Sequence, residues 1–225
     1  RILPSGHSFL SEGKSNLLEA GLRSGLALGY GCSNGNCGKC LAKVVSGEVE
    51  KIRHHDYRIS PGEKAGGYVL MCCNTALTDV VLEAPEAHGA SEIPVQQLTA
   101  RVRSIRIVNN DVALLHLKTP RTSRLRFLAG QHVELGGNHM PAASHSVGSC
   151  PCDDMHLHFQ IPLLAGDEFS AHVFNILKKG DGVDINGPNG DFVLNEDSPR
   201  SLVFIAWHTG FAPVRSLIEH AMALE

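Results

Sequence analysis

The apolar positions of this chain change period several times along its length, and each change marks an element. Leu17, Leu18 and Leu22 fall on one helical face, and Asn16 with Glu19 has capping-box spacing, so a helix is predicted from about residue 16. Residues 2–10 read as a short hairpin around Pro4-Ser5-Gly6. CLAKVVSGEVE reads as a Val-rich strand turning at Ser46-Gly47, and YVLMC and DVVLEA read as two further strands. Residues 1–84 therefore predict a small mixed sheet with one helix.

Residues 85–95, PEAHGASEIPV, have two prolines, a glycine and no periodicity, which is the composition of a linker. Beyond it, LTARVRSIRIV, DVALLHLKT, QHVEL, MHLHFQI and DGVDING are short strands between Gly and Pro turns, interrupted by a helix over roughly Ser170 to Lys179. Residues 96–199 thus predict an antiparallel barrel. Residues 200–225 give an apolar strand, a turn and an amphipathic helix, the opening unit of a doubly wound α/β domain.

Composition narrows the function classes. A chain of 225 residues, 43% hydrophobic, can bury a substantial core and is long enough for two compact domains. Its net charge of -3, with Lys and Arg dispersed, offers no footprint for nucleic acid or an anionic membrane. No apolar run approaches the ~18 residues of a membrane span, and no secretory signal opens the chain, so the expected compartment is the cytoplasm, with attachment to the cytoplasmic face of a membrane complex as a variant. Both ends read as cut from a longer polypeptide. Seven cysteines are an odd number for a disulfide framework and point toward metal ligation.

The cysteine spacing carries the chemistry. Cys32-x4-Cys37-x2-Cys40 is followed, after 31 intervening residues, by Cys72, the plant-type [2Fe-2S] spacing with a distant fourth thiolate. Gly31, Gly35 and Gly38 give the loop the freedom to bend and to turn backbone N–H groups toward the sulfurs. A four-cysteine zinc site would instead pair C-x2-C with a second close pair. Cys73 competes for the fourth position. If Cys72 ends the strand YVLMC facing the loop, alternation points Cys73 the other way, so Cys72 is preferred. Cys150-Pro-Cys152 has poor spacing for a disulfide and reads as packing or exposure.

GLALGYGCSNGNCGKCLAKVVSGEV…GYVLMC resembles the plant-type ferredoxin domain fused to flavin reductases of bacterial oxygenases and of deoxysugar biosynthesis. LKKGDGVDINGPNGDFVL and SLVFIAWHTGFAPVRSLIEHA resemble the ferredoxin-NADP reductase superfamily. The resemblance implies a β-grasp ferredoxin domain, a six-stranded flavin-binding barrel and a nicotinamide domain of which only the first strand and helix are present. It also implies hydride transfer from NAD(P)H to FAD and single-electron transfer to the cluster and then to a partner.

The departures fall where cofactors sit. The flavin motif R-x-Y-S corresponds to Ala143-Ser144-His145-Ser146, losing the arginine and replacing tyrosine by His145 while keeping Ser146. The pyrophosphate stretch G-G-x-x-S reads Gly166-Asp167-Glu168-Phe169-Ser170, where two carboxylates meet the helix start and read as caps. The nicotinamide turn G-G-T-G reads Trp207-His208-Thr209-Gly210, which disfavours NAD(P)H binding, with Trp207 expected to pack against the barrel. The implied cofactor contacts are His145, Ser146, Ser170, Thr209 and Gly210.

Thirteen histidines are many for this length. His156 and His158 alternate onto one strand face but lack a third ligand in the sequence, and His54-His55 reads as a solvated loop. Two functions compete: an electron-transfer oxidoreductase using cluster and FAD, and a non-catalytic electron carrier or accessory subunit whose barrel is a docking scaffold. A zinc-stapled binding module is third. The expected partner is a redox protein: an oxygenase, a dehydratase or a membrane redox complex.

Overall fold

In a computed structural model that describes all residues except Asn138, Asp197, Pro199 and Glu225, the chain divides into two compact units. The first comprises residues 1–88 with 121–124 and 224, the second 89–120 and 125–223.

The first unit is built on a mixed four-stranded sheet. It contains β1 (Ile2–Leu3), α1 (Leu17–Arg23), β2 (Leu41–Ser46), β3 (Val49–Lys51), α2 (Pro61–Ala65), β4 (Tyr68–Leu70), β5 (Asn74–Ala76) and β6 (Val81–Glu83), with sheet order β1-β6-β2-β4 and a separate β3-β5 pair. Asn16 caps α1 by accepting the N–H of Glu19 at 2.9 Å, as its spacing predicts. The Glu19 carboxylate takes the buried Arg124 guanidinium at 2.6 Å. Leu18, Leu28, Leu70 and Leu82 are fully buried between helix and sheet. The expected 2–10 hairpin is reduced to a turn: the Ile2 N–H donates to His7 O at 2.8 Å and the Gly6 N–H to Ile2 O at 2.9 Å, but only Ile2–Leu3 is strand, paired in parallel with Leu82–Glu83. The short α2 has a complete Ser60–Glu63 capping box, a signature present in the sequence but unread.

The second unit holds β7 (Gln96–Val108), β8 (Val112–Lys118), β9 (His132–Gly137), β10 (Met140–Ser146), β11 (His156–Pro162), α3 (Glu168–Asn175), β12 (Gly182–Asn189) and α4 (Phe211–Leu224). Its six strands form one antiparallel sheet in the order β10-β9-β12-β7-β8-β11, the expected barrel strands. Strict alternation puts Leu115, Leu117, Leu157, Phe159 and Ile161 inside, and Phe169 and Val173 of α3 join them. β10 is a strand that periodicity missed; its Pro141 is tolerated because the strand lies at the sheet edge. α3 starts at Glu168 rather than Ser170, since Asp167 is its N-cap, and ends at Asn175.

Residues 202–206, expected as a strand, run without strand pairing among the described residues. A buried parallel strand needs hydrogen-bonding neighbours, and none flanks this one. Trp207 is correspondingly 90% exposed rather than packed on the barrel. The amphipathic α4 forms as expected and buries Ala212, Val214 and Leu217.

Candidate functional site

Loop 29–40 brings its three cysteines into the interior of the first unit. Cys32, Cys40 and Cys72 are 1% exposed or less, and Cys37 is half-buried. The thiols fall into two pairs. Cys32 and Cys37 hydrogen-bond to each other through their side chains, and Cys40 Sγ lies 3.3 Å from Cys72 Sγ.

Burial alone would raise the Cys32 thiol. The N–H of Asn34, the Cys37 thiol and the N–H groups of Cys37 and Asn36 outweigh it and bring Cys32 down to about 7. Burial raises its partner Cys37. The hydrogen bond from Cys72 lowers Cys40, and the same bond together with burial raises Cys72. In each pair one sulfur is drawn toward thiolate and the other held protonated, as when two thiols share one proton.

Cys72 is not at a strand end. β4 stops at Leu70, and Met71–Cys73 is a single 3-10 turn, so the alternation argument for turning Cys73 away does not apply. Cys73 Sγ sits 3.6 Å from Cys72 Sγ, and burial pushes its thiol up to about 12. What separates the two is the Cys40 contact, which Cys72 makes.

The loop is braced by a segment that sequence reading set aside as solvated. The Arg53 guanidinium donates to Ser33 O at 2.6 Å, the Tyr57 N–H donates to Gly35 O at 3.1 Å, and the N–H groups of Ile52 and Arg53 donate to Cys73 O. The Tyr57 ring covers Gly38 so closely that a Cβ there would overlap it, and Gly38 holds φ +76. Gly35, at φ +84, is similarly closed off by His55 and Cys73. No spacing rule links residues 52–57 to residues 33–38, and the glycines opposite bulky side chains were the only sequence signal.

In the second unit, His145 lies on β10 with its ring stacked on Phe169, centroids 4.8 Å apart. Burial pushes its imidazole down to about 4, so it is neutral, and its Nε2 is buried without a hydrogen-bond partner. Ser146 ends the same strand, beside His132 of β9. Ser170 is fully engaged locally: its N–H donates to Asp167 Oδ2 at 2.8 Å, and its hydroxyl bonds Asp167 O and Leu164 O. The N-terminus of α3 therefore carries its own carboxylate cap. Thr209 and Gly210 lie in a 3-10 turn leading into α4, and no hydrogen bond among the described residues joins them to His145, Ser146 or Ser170. Cys150 and Cys152, read as unpaired, are joined in a disulfide; the Cα separation of 5.1 Å is within bonding range despite the single intervening residue. No helix is long and apolar enough to cross a membrane among the described residues.

The donor set fits a binuclear cluster: four sulfurs in two pairs, three from loop 29–40 and one from the Met71–Cys73 turn, with backbone N–H groups aimed at the first of them. For a flavin the fit is divided. The orphaned Nε2 and flat ring of His145 suit an isoalloxazine, whereas Ala143 and the Asp167 cap offer no cation and no open helix end to a diphosphate.

Residues 1–78 match the 2Fe-2S iron-sulfur cluster binding domain family, and residues 99–194 match the oxidoreductase FAD-binding domain family. The CDP-6-deoxy-L-threo-D-glycero-4-hexulose-3-dehydrase reductase of Yersinia pseudotuberculosis serotype I is 34% identical over 219 residues, covering 97% of this chain and 65% of that protein. The propane 2-monooxygenase reductase component of Mycolicibacterium goodii is 29% identical over 212 residues, 91% of this chain and 60% of its own length. The crystal structure of the Amycolatopsis cytochrome P450 reductase GcoB superposes with a TM-score of 0.55 at 29% identity, over 100% of this chain and 68% of that one. The chain thus spans less than two thirds of the length of these curated relatives.

Proposed function

We propose that this chain, which belongs to the ferredoxin-type reductases that join a 2Fe-2S cluster binding domain to an oxidoreductase FAD-binding domain, moves single electrons through a cluster in its first unit to or from a protein partner. The observation that carries the reading is the pairing of Cys32 with Cys37 and of Cys40 with Cys72. A binuclear cluster would be held by four thiolates, and Cys32 with Cys37 and Cys40 with Cys72 would supply them as two pairs. When bound, the cluster supplies one-electron transfer at a potential on the order of -400 mV for its class, and a flavin supplies the step from electron pairs to single electrons.

The chain's own residues set the conditions for that chemistry. The N–H groups of Asn34, Asn36 and Cys37 offset negative charge at the first sulfur. Arg53 and Tyr57 hold the loop carbonyls and so fix the loop geometry. Burial of Cys40 and Cys72 keeps water from that end of the site. On the barrel, His145 and Ser146 would meet the flavin ring. We assign no phosphate contact to Ser170, whose donors serve Asp167 and Leu164. Trp207 and His208 stand where a glycine pair would admit a dinucleotide, so NAD(P)H is not assigned to Thr209 and Gly210. The relatives are described as reductases or reductase components of a dehydrase and of a monooxygenase, which supports an oxygenase or a dehydratase as partner.

The Asp167 cap favours a second reading, in which the chain carries electrons without binding flavin and the barrel serves as a docking scaffold. The visible spectrum of the purified protein separates the two. Reddish bands with a low-temperature EPR signal on reduction, plus a yellow flavin released on denaturation, support the reductase. The same bands without flavin support the carrier, and a colourless zinc protein overturns both.

A further inference from the structure

Strands β7, β8 and β11 turn an outward face away from the barrel core. On it Ser104, His116 and His158 stand side by side in register, and Arg106, Leu114 and Gln160 form the next row. With Arg215 of α4 these side chains border a cavity of about 380 Å³, which the backbone of Leu115 and Phe159 also lines. None of them belongs to the cluster loop or to residues 143–146 and 166–170.

The polar groups of this cavity are in excess of their partners. Arg106 has no carboxylate partner among the described residues. Arg215 engages Glu219 Oε1 through Nε at 2.7 Å, and its two terminal nitrogens have no hydrogen-bond partner among the described residues. His116 Nε2 is buried with no hydrogen bond, and its ring meets His158 edge-on at 4.5 Å. Burial, then the neighbouring His158, His156 and Arg103, pushes His116 down to about 4. It is therefore neutral near pH 7, and its Nε2 donates to an anion in the tautomer that carries the proton there. Buried polar groups without partners are costly, and guanidinium groups gathered at one cavity raise its positive potential.

His156, whose Nδ1 lies 3.0 Å from Asp153, and His116 and His158 could suggest a metal. Guanidinium groups repel a cation, and of the three rings only His116 and His158 line the cavity. The combination of the Arg106 guanidinium, an Arg215 engaged only through Nε, an unpartnered ring nitrogen and the apolar Leu114 side chain suits an anion that has an apolar body.

We propose that this cavity binds a small organic oxyanion, a carboxylate or a phosphate monoester, with the head group held by Arg106, Arg215 and His116 and the body lying over Leu114. Bidentate guanidinium contacts favour such planar or tetrahedral oxyanions.

The test is a titration of the full-length, cofactor-loaded protein with benzoate, phenyl phosphate and inorganic phosphate, followed by the NMR signals of His116 and His158. Saturable shifts with benzoate or phenyl phosphate, and weaker binding of inorganic phosphate, are expected; the tighter of the two aromatic probes identifies the head group. Arg106→Gln, which breaks no contact with another described side chain, should weaken binding about tenfold or more, and so should His116→Phe. Absence of saturable shifts in a folded protein overturns the proposal, as does an affinity unchanged in an Arg106→Gln/Arg215→Gln double variant. Displacement of a bound flavin by the probe, or zinc binding to the three histidines without any anion binding, also overturns it.

Discussion

Cys40 and Cys72, 32 residues apart in sequence, bring their sulfurs to 3.3 Å, and this contact distinguishes Cys72 from its neighbour Cys73. Cys72→Ser should abolish the reddish absorption and the EPR signal of the reduced protein. Cys73→Ser should keep both, because among the described thiols Cys73 bonds to Cys72 alone, at 3.6 Å. Metal and sulfide analysis of the two variants checks this; loss of the cluster in the Cys73 variant alone would reverse the assignment.

Gly38 combines a left-handed backbone with a covering aromatic ring. Alanine there carries a backbone cost of about 1–2 kcal/mol and must also displace Tyr57, adding about 1–3 kcal/mol. Gly38→Ala should therefore lower the thermal midpoint of the first unit and speed cluster loss. Combined with Tyr57→Ala, the steric part should vanish and the backbone part remain, so the two changes should be clearly non-additive in a double-mutant cycle.

What the sequence disclosed and what it concealed divide along the range of the interactions. The cap of α1 by Asn16 and the cysteine loop depend on residues a few positions apart, and both were legible. The bracing of that loop by Arg53, His55 and Tyr57 depends on contacts that no spacing encodes, and His55 next to His54 looked like solvated chain. β10 was invisible because Met-Pro-Ala-Ala-Ser-His-Ser has no β-branched residue; its strand conformation comes from pairing with β9, His145 opposite Val133. Residues 202–206 show the converse, since strong local strand character forms no strand where no neighbouring strand pairs with it. His116, which borders the cavity beside His158, was concealed from the reading of His156 and His158 because it arrives from β8.

Asp167 closes the N-terminus of α3, and its carboxyl is held below the usual carboxylate range by the N–H and hydroxyl of Ser170. If flavin phosphates approach this helix end, that carboxylate opposes them. Asp167→Gly removes the charge at a cap position where glycine costs only a few tenths of a kcal/mol. FAD affinity, followed by flavin fluorescence, should then rise about two- to fivefold, the size of a helix-terminus charge effect. Unchanged or weaker affinity would place the phosphates elsewhere or support the carrier reading.

His145 makes the stability of the barrel depend on pH in a defined direction. Burial depresses its imidazole from 6.5 to about 4, with Asp167 opposing slightly. The unfolded chain therefore binds the His145 proton first as pH falls, and a depressed folded value means that this contribution to stability is complete above about 6.5 and lost progressively down to about 4. His116, also pushed down to about 4, acts in the same sense. Denaturant midpoints of the second unit should thus fall between pH 7 and pH 4. His145→Phe keeps the flat ring against Phe169 while removing the titrating group and the unpartnered Nε2. The variant should be the more stable protein at pH 5 and show a shallower pH dependence, with the remaining slope carried by His116 and His158. An identical slope in wild type and variant would mean that His145 is not held neutral in the folded protein.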